Sequence, residues 1–537
     1  MTTPSPKIRW AVFFLIALLA LAVRLPQLGE RPMHTDEAIN AYRTGELLAG
    51  ENFHYDPKDR HGPALFVLAG PVVKICGAKN FSELTETQLR LTPVIVGSGM
   101  ILLFGAAVEM FGFSACLVAA LLFAFAPLPV YYSRYFIHET LFVAATLGLI
   151  LSAWRAGTPA SGTARTAGVP ASGCSGDTLK RELQLAGSET GVPWSAALAG
   201  FCAALMLACK ETAVIHFFAL GVALVVHRFG TPGTVPARTE DNSKLAGTVP
   251  GVPFAKRGAT AVTVFMFTVV LLFTWFGQHW AGLTDLFRAI PHLAARAGGE
   301  GHEKPFGYYF HLLDPLFVLS LLAVAGIYAA LCDAVSGTRK AGLPLVIYAL
   351  AVSLIYSAIP YKTPWLALNL WLPFALLCGL GAGSILELIN NPNGRWGAGI
   401  AVAFLLATLG AQTKEFVFDK PADEKNPYAY AHTGEDLLRL PGRLEELARE
   451  NKTANPRIAV VAADAWPLPW YLRKFSTVGY WQPGQETGDA DFFITTSDPP
   501  TNLTERLKNF RPEFFGARPE VLLMLWSPSA KEKPHEP

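Results

Sequence analysis

Charge is scarce in this sequence. Of its 537 residues only 16% are Asp, Glu, Lys or Arg, against 51% hydrophobic ones, and the mean hydropathy is +0.32. Soluble globular chains carry about 25% charged residues, so a chain built mainly to face water is excluded, and a membrane protein is the reading that remains. Net charge is lacking as well. The 44 Lys and Arg against 42 Asp and Glu leave +2, which offers no global attraction for nucleic acid. The seven cysteines, at 76, 116, 174, 202, 209, 332 and 378, fall mostly in apolar runs without a CxxC pair, so neither a zinc site nor a disulfide framework is indicated. No small-residue cleavage site follows the first apolar run, Trp10 to Val23, which therefore reads as an uncleaved signal anchor.

Long hydrophobic runs are what the chain has in abundance. A spanning helix needs roughly 17 to 25 mostly apolar residues. Spans are expected near 9–27, 89–111, 114–132, 138–154, 194–209, 213–228, 259–279, 307–332, 343–360, 366–388 and 397–412. The expected fold class is thus an α-helical polytopic membrane protein of about eleven transmembrane helices. The run "PALFVLAGPVVKICG", 63–77, is short and interrupted by Pro71 and Lys74, so it is expected to lie at the interface or re-enter. With the N-terminus inside, the inner loops collect Lys7, Arg9, Arg155, Arg165, Lys180, Arg181, Arg228, Arg238, Lys244, Lys256, Arg257, Arg339, Lys340 and Arg395. That polarity obeys the positive-inside rule.

This assigns residues 1–412 to a transmembrane domain with a first outer loop at 28–88. The stretches 155–192 and 229–258, rich in Gly, Pro, Ser and Thr, become flexible cytoplasmic insertions. An odd number of spans delivers 413–537 outside, where "RIAVVAADAWPLPWYLRKF", "DFFITTSD" and "VLLMLWSP" alternate with helical or turn-rich stretches as in a small extracytoplasmic α/β domain.

The polar stretches least like ordinary loops then share the outer face: the first loop, "YSRYFIHET", "CKET", "ARAGGEGHEKPFGYY" and "IPYKTPW". Ionisable groups at the ends of apolar spans are expensive unless they pair, meet a ligand or line a wet cavity, so their gathering suggests one site. Each has an ordinary alternative. Asp36 and Glu37 follow Thr35 and suit the first turn of a helix, favoured there by the macrodipole. Alternatively one of these carboxylates is a general base that its neighbour or His34 orients. Arg134 and His138, four apart with Glu139 adjacent, would share a helical face or simply form an interfacial ion cluster. Lys210 and Glu211 suit a hairpin turn. Tyr361, Lys362 and Trp365 suit an aromatic belt. Together Arg134, Lys210 and Lys362 would supply the charge a lipid-linked phosphate requires. His54, Asp56 and His61 in "HYDPKDRHGP" are further contacts without a specific metal spacing. The loop 280–306, with His292, Arg296, Glu300, His302, Glu303 and Lys304, is either a mobile cover or a solvated hinge.

At these residues the chain resembles the C-type (GT-C) integral-membrane glycosyltransferases, the class of protein O-mannosyltransferases and lipid A aminoarabinose transferases. More closely, "MHTDEAINAYRTGELLAG", "YDPKDRHGPALF", "SRYFIHETLF", "CKETAVI", "YKTPWL" and "WPLPWYLR" resemble the family named for an archaeal flippase-activity-associated glycosylation protein. The likeness runs from about residue 10 to 380 and touches Trp466 to Arg473. It implies a multi-pass enzyme of the cytoplasmic membrane that passes a sugar from a polyprenyl-phosphate carrier to a glycan, lipid or protein acceptor on the outer side. In that class the catalytic acid lies in the first outer loop, where Asp36 matches, with Glu37 beside it. His34, His61, Arg134, His138, Glu139, Lys210, Glu211, His302, Tyr361 and Lys362 would hold substrate or its phosphate. A divalent metal is the one cofactor considered, with Asp36, His61, His138 and Glu139 as candidate ligands. The competing expectation is a flippase or flippase accessory that handles lipid-linked sugar without bond chemistry. Such a protein would have polar or broken spans at the bilayer midplane.

Overall fold

The computed structural model describes residues 4–58, 61–157, 194–230, 254–299, 301–314, 317–336, 341–389 and 391–529. The Gly- and Pro-rich stretches 155–192 and 229–258 lie outside these residues except at their ends. A helical bundle is followed by a β-rich C-terminal region.

The expectation of eleven spans is corrected by helix length. Among the described residues seven helices are long and apolar enough to cross a bilayer: Pro6–Arg24, Glu86–Phe111, Glu139–Gly157, Ala255–Phe273, Val318–Ser336, Pro364–Leu388 and Pro392–Asp419. Four runs counted as spans from sequence, Phe113–Phe125, Trp194–Cys209, Ala213–His227 and Gly342–Ala358, form helices of 10–17 residues. Apolarity continues through breaks that the backbone does not. The run at 114–132 is split at Ala126, which is extended ahead of Pro127, so Phe113–Phe125 has 13 residues. That is about 20 Å of helix against a hydrocarbon core of about 30 Å. The run at 307–332 likewise divides into Tyr308–Leu313 and Val318–Ser336. The interrupted run at 63–77 yields the 12-residue helix Ala64–Ile75.

The break at Ala126 is held by Arg24, the last residue of the first helix. Its buried guanidinium donates to Ser133 Oγ (2.6 Å), Phe123 O (2.7 Å) and Ala124 O (3.1 Å). The last two are carbonyls at a helix end that lack intrahelical donors. The turn after the break carries Phe136 to Glu37, which also binds Arg90 near the start of Glu86–Phe111.

Helix Ala367–Leu388 is the buried centre of the bundle. It meets Val318–Ser336 backbone to backbone: a Cβ at Gly326 would overlap the carbonyl of Leu377, and one at Gly381 that of Leu322. Small residues permit this close approach where apolar lipid gives helices no hydrophobic reason to associate.

In the C-terminal region five strands, β1 (Arg457–Val461), β2 (Thr477–Trp481), β3 (Phe492–Thr496), β4 (Phe510–Arg518) and β5 (Val521–Pro528), form one sheet of order β2-β1-β3-β5-β4. β1 is parallel to β2 and β3, and β5 is antiparallel to β3 and β4. Side-chain alternation divides its two faces. Ile458, Val460, Ile494 and Leu525 join the main core with Leu444 and Leu447 of helix Leu440–Glu450. Ala459, Val461 and Phe493 bury against Leu503 and Leu507 of helix Thr501–Leu507. The tail is tied to the first loop through Thr433, whose hydroxyl donates to Met33 O (2.6 Å), and Tyr471, whose phenol accepts from Met33 N (2.8 Å). Trp470 Nε1 donates to Glu86 (2.7 Å), so the "WPLPWYLR" aromatics pack rather than face outward here.

Gly381→Val forces a branched side chain into the Leu322 carbonyl. It is expected to destabilise the protein by about 1–3 kcal/mol or more, seen as a lower thermal midpoint in detergent.

Candidate active site

The first loop forms helix Thr35–Leu48, and its start is fixed by a reciprocal cap. His34 Nδ1 accepts from Asp36 N (3.1 Å), while Glu37 Oε2 accepts from His34 N (3.3 Å). Neighbouring residues on a helix point about 100° apart, which sends the two carboxylates to opposite fates. Glu37 turns inward and is fully buried. Its Oε1 accepts from Arg90 Nε (2.8 Å) and Phe136 N (2.8 Å), and its Oε2 from Arg90 (2.8 Å) and Arg31 (3.2 Å). Burial pushes this carboxyl up, but the charges and hydrogen bonds of Arg90, with Arg31 and the Phe136 amide, outweigh it and hold it well below the usual carboxylate range.

Asp36, with Asn40 and Arg43 at helical spacings of four and three residues, faces the other way onto a cavity of about 660 Å³. Its carboxylate makes no hydrogen bond or ion pair among the described residues. The opposite walls come from the ends of apolar helices. Glu139, first residue of its helix, forms a buried ion pair with Lys210, which directly follows Trp194–Cys209. Burial lowers the Lys210 ammonium, yet the Glu139 charge, aided by Asp36, raises it above its ordinary range. His61 Nδ1 lies 3.2 Å from Glu211 Oε2, and the Tyr55 phenol donates to Glu211 Oε1 at 2.6 Å. Burial raises the Glu211 carboxyl, but the His61 and Tyr55 contacts prevail and bring it to about 2. His138 is buried, 3.1 Å from Gly62 O, and its burial holds it well below 6.5 and neutral at physiological pH. Gly62 itself abuts the backbone of Ala208, where a Cβ would overlap the carbonyl. That contact brings the first loop against Lys210. His302 and Tyr361 complete the rim on two segments paired through Glu303 and Tyr361.

The structure therefore gathers Asp36, His61, His138, Glu139, Lys210, Glu211, His302 and Tyr361 on one cavity. It leaves Glu37, Arg134, Lys362 and His34 off its wall, and His54 and Asp56 with them. Glu37 is locked between Arg31 and Arg90. Arg134 donates to the carbonyls of Arg24 (3.2 Å), Pro26 (2.7 Å) and Gln27 (3.0 Å), capping the end of the first helix. Burial, with the nearby charges of Arg31, Arg90 and Arg24, lowers its guanidinium to about 9. Lys362 is buried and donates to Lys304 O (3.1 Å) and Ile359 O. His34 sits among Tyr135, Trp365 and His432, with Nε2 3.1 Å from Tyr430 O.

Of the three cations expected to serve a phosphate, Lys210 alone reaches the cavity, and it arrives paired. Arg43, not singled out from sequence, reaches it too, and donates to both Glu46 oxygens (2.7 and 2.9 Å). The spacing Asp36, Asn40, Arg43 was the available signal. Among the described residues no three or more His, Cys, Asp or Glu side chains are grouped to hold a metal ion, so the candidate set Asp36, His61, His138 and Glu139 does not form a ligand sphere.

By sequence the chain matches no family model and no curated protein. By structure it is similar to ArnT from Cupriavidus metallidurans bound to undecaprenyl phosphate, at 13% identity and a TM-score of 0.59, covering 95% of this chain and 97% of that one. It is also similar to the apo oligosaccharyltransferase of Archaeoglobus fulgidus, at 12% identity and a TM-score of 0.52, covering 98% of this chain and 75% of the other. At these identities the likeness shows a shared fold with both structures.

Two outcomes follow from buried Glu37 and half-buried Glu211. Glu37→Gln leaves Arg90 without its counter-charge, and a loss of about 3–5 kcal/mol is expected, measured as reduced thermal stability. The pKa of Glu211 is depressed, so the stability it contributes is present above pH about 4.5 and is lost as pH falls toward about 2. The drop in melting temperature between pH 5 and pH 3 should be larger in the wild type than in Glu211→Gln.

Proposed function

We propose that this chain is a membrane glycosyltransferase that moves a sugar from a polyprenyl-phosphate-linked donor to an acceptor hydroxyl. The observation that carries this reading is the Asp36 carboxylate, without a hydrogen-bond or ion-pair partner among the described residues, opening onto a cavity of about 660 Å³ between helix Thr35–Leu48 and the ends of apolar helices. Asp36 takes the proton of the acceptor hydroxyl. The oxygen attacks the anomeric carbon, the bond from that carbon to the phosphate oxygen breaks on the opposite face, and configuration inverts. Polyprenyl phosphate leaves with the electron pair. Arg43 and Lys210, already positioned by Glu46 and Glu139, meet the charge that develops on it. Glu37 acts through position, holding the helix from which Asp36 projects.

Every residue lining the cavity lies between Asp36 and Leu366. This favours a division in which residues 1–412 carry the chemistry and 413–537 brace it, with both the cavity and the tail on the outer side of the cytoplasmic membrane. Similarity to a fold captured with undecaprenyl phosphate supports the class of donor carrier.

The test is release of free undecaprenyl phosphate by the purified protein in vesicles holding a panel of undecaprenyl-phosphate-linked sugars and crude acceptor lipid. Asp36→Asn is expected to lower that release at least 100-fold, the scale on which a lost general base acts. Full activity in Asp36→Asn would remove the base assignment. Wild-type protein that moved lipid-linked sugar across the vesicle without releasing carrier phosphate would replace the transferase by a flippase.

A further inference from the structure

Buried polar atoms without partners are uncommon in folded proteins, and each one demands a reason. Three belong to residues that line the cavity onto which Asp36 opens. Glu139 is 1% exposed and gives Oε1 to Lys210, while its Oε2 has no hydrogen-bond partner. Thr363, equally buried, has no partner for its Oγ1. Both residues line the cavity, and Thr212, whose Oγ1 is the third such atom, lines it with them.

Charge at this wall is already balanced. Lys210 compensates Glu139, and His61 lies against Glu211. A ligand ammonium placed on Glu139 Oε2 would meet the Lys210 cation beside it, and a ligand carboxylate would meet the Glu139 anion. A neutral hydroxyl meets neither penalty: it donates to Oε2 and can exchange a second hydrogen bond with the Thr363 hydroxyl. The wall sits at the first residue of helix Glu139–Gly157 and just past the last residue of Trp194–Cys209. Asn40 and Arg43 lie across the cavity on the first-loop helix.

We infer that Glu139 Oε2 and Thr363 Oγ1, with Thr212, form a subsite that reads hydroxyl groups of an uncharged hexose on the lipid-linked donor. The inference rests on the donor reading above and deepens it by specifying the sugar class. Glu139 and Thr363 are specificity residues here and Asp36 remains the base. Selectivity of this kind is steep because an analogue that cannot pair leaves the buried protein atoms unsatisfied.

The test measures binding to the full-length protein in detergent micelles. The probes are undecaprenyl phosphate, its glucosyl, mannosyl and galactosyl phosphodiesters, and the 2-amino-2-deoxyglucosyl form. At least one neutral hexosyl lipid is expected to bind about 10-fold tighter than undecaprenyl phosphate, and tighter than the amino-sugar lipid. Thr363→Val, which keeps the shape and removes the hydroxyl, should weaken that hexosyl lipid about 5- to 10-fold and leave undecaprenyl phosphate unchanged. Glu139→Gln should abolish the preference for neutral over amino sugar, and melting curves establish that each variant is folded. Thr363→Val that affects both lipids equally or neither, or an amino-sugar lipid that binds tightest, overturns the subsite while leaving the transferase reading intact. Failure of every polyprenyl-phosphate lipid to bind overturns both.

Discussion

The Glu37 carboxylate is the tie on which the site depends. It joins three pieces of chain that are remote in sequence: the cap of helix Thr35–Leu48, Arg90 in helix Glu86–Phe111, and the amide of Phe136 in the turn after the broken helix. Buried charges hold only when paired and fully hydrogen-bonded, and this one accepts from three side-chain and two backbone nitrogen partners across its two oxygens. The rotation of the helix is thereby set, and with it the direction in which Asp36, Asn40 and Arg43 point. Arg31 contributes from both ends, pairing with Glu37 while its guanidinium stacks 4.3 Å over the Tyr135 ring.

A second constraint is the closing of the tail over the first loop. Tyr131 and Tyr132 donate to the carbonyls of Pro421 and Tyr428, and Tyr430 meets His302 at 2.7 Å while offering its carbonyl to His34. The same short segment thus touches the cap of the Asp36 helix and the rim that carries His302. Its aromatics do not line the cavity. They hold apart the elements that do.

Much of the site was legible because a hydrophobic chain displays its polar exceptions. Asp36, His138, Glu139, Lys210 and Glu211 stand out against apolar runs, and desolvation cost made their convergence a sound expectation. What the same reasoning could not tell was which charges would be consumed internally. Arg134 and Lys362 had the right sign, yet both turn to backbone carbonyls at helix ends and loops, partners that exist only once the chain is folded. Arg43 was passed over because it sits seven residues beyond Asp36 in an unremarkable helix. Helix length was misjudged for a related reason. Composition counts apolar residues through Ala126 and Pro127, while the backbone stops there.

Composition, periodicity and the placement of ionisable residues by themselves determined a multi-helix membrane protein with a polar cluster near its start and a sheet-forming tail. These are local or additive properties, set by how much apolar surface a segment must hide and by the alternation of its side chains. Tertiary structure alone decided that Glu37 is a tie while Asp36 opens onto the cavity, and that Lys210 arrives there already paired. Adjacent residues on a helix differ by about 100° in direction, and only the surfaces packed around it determine which direction is buried and which is open.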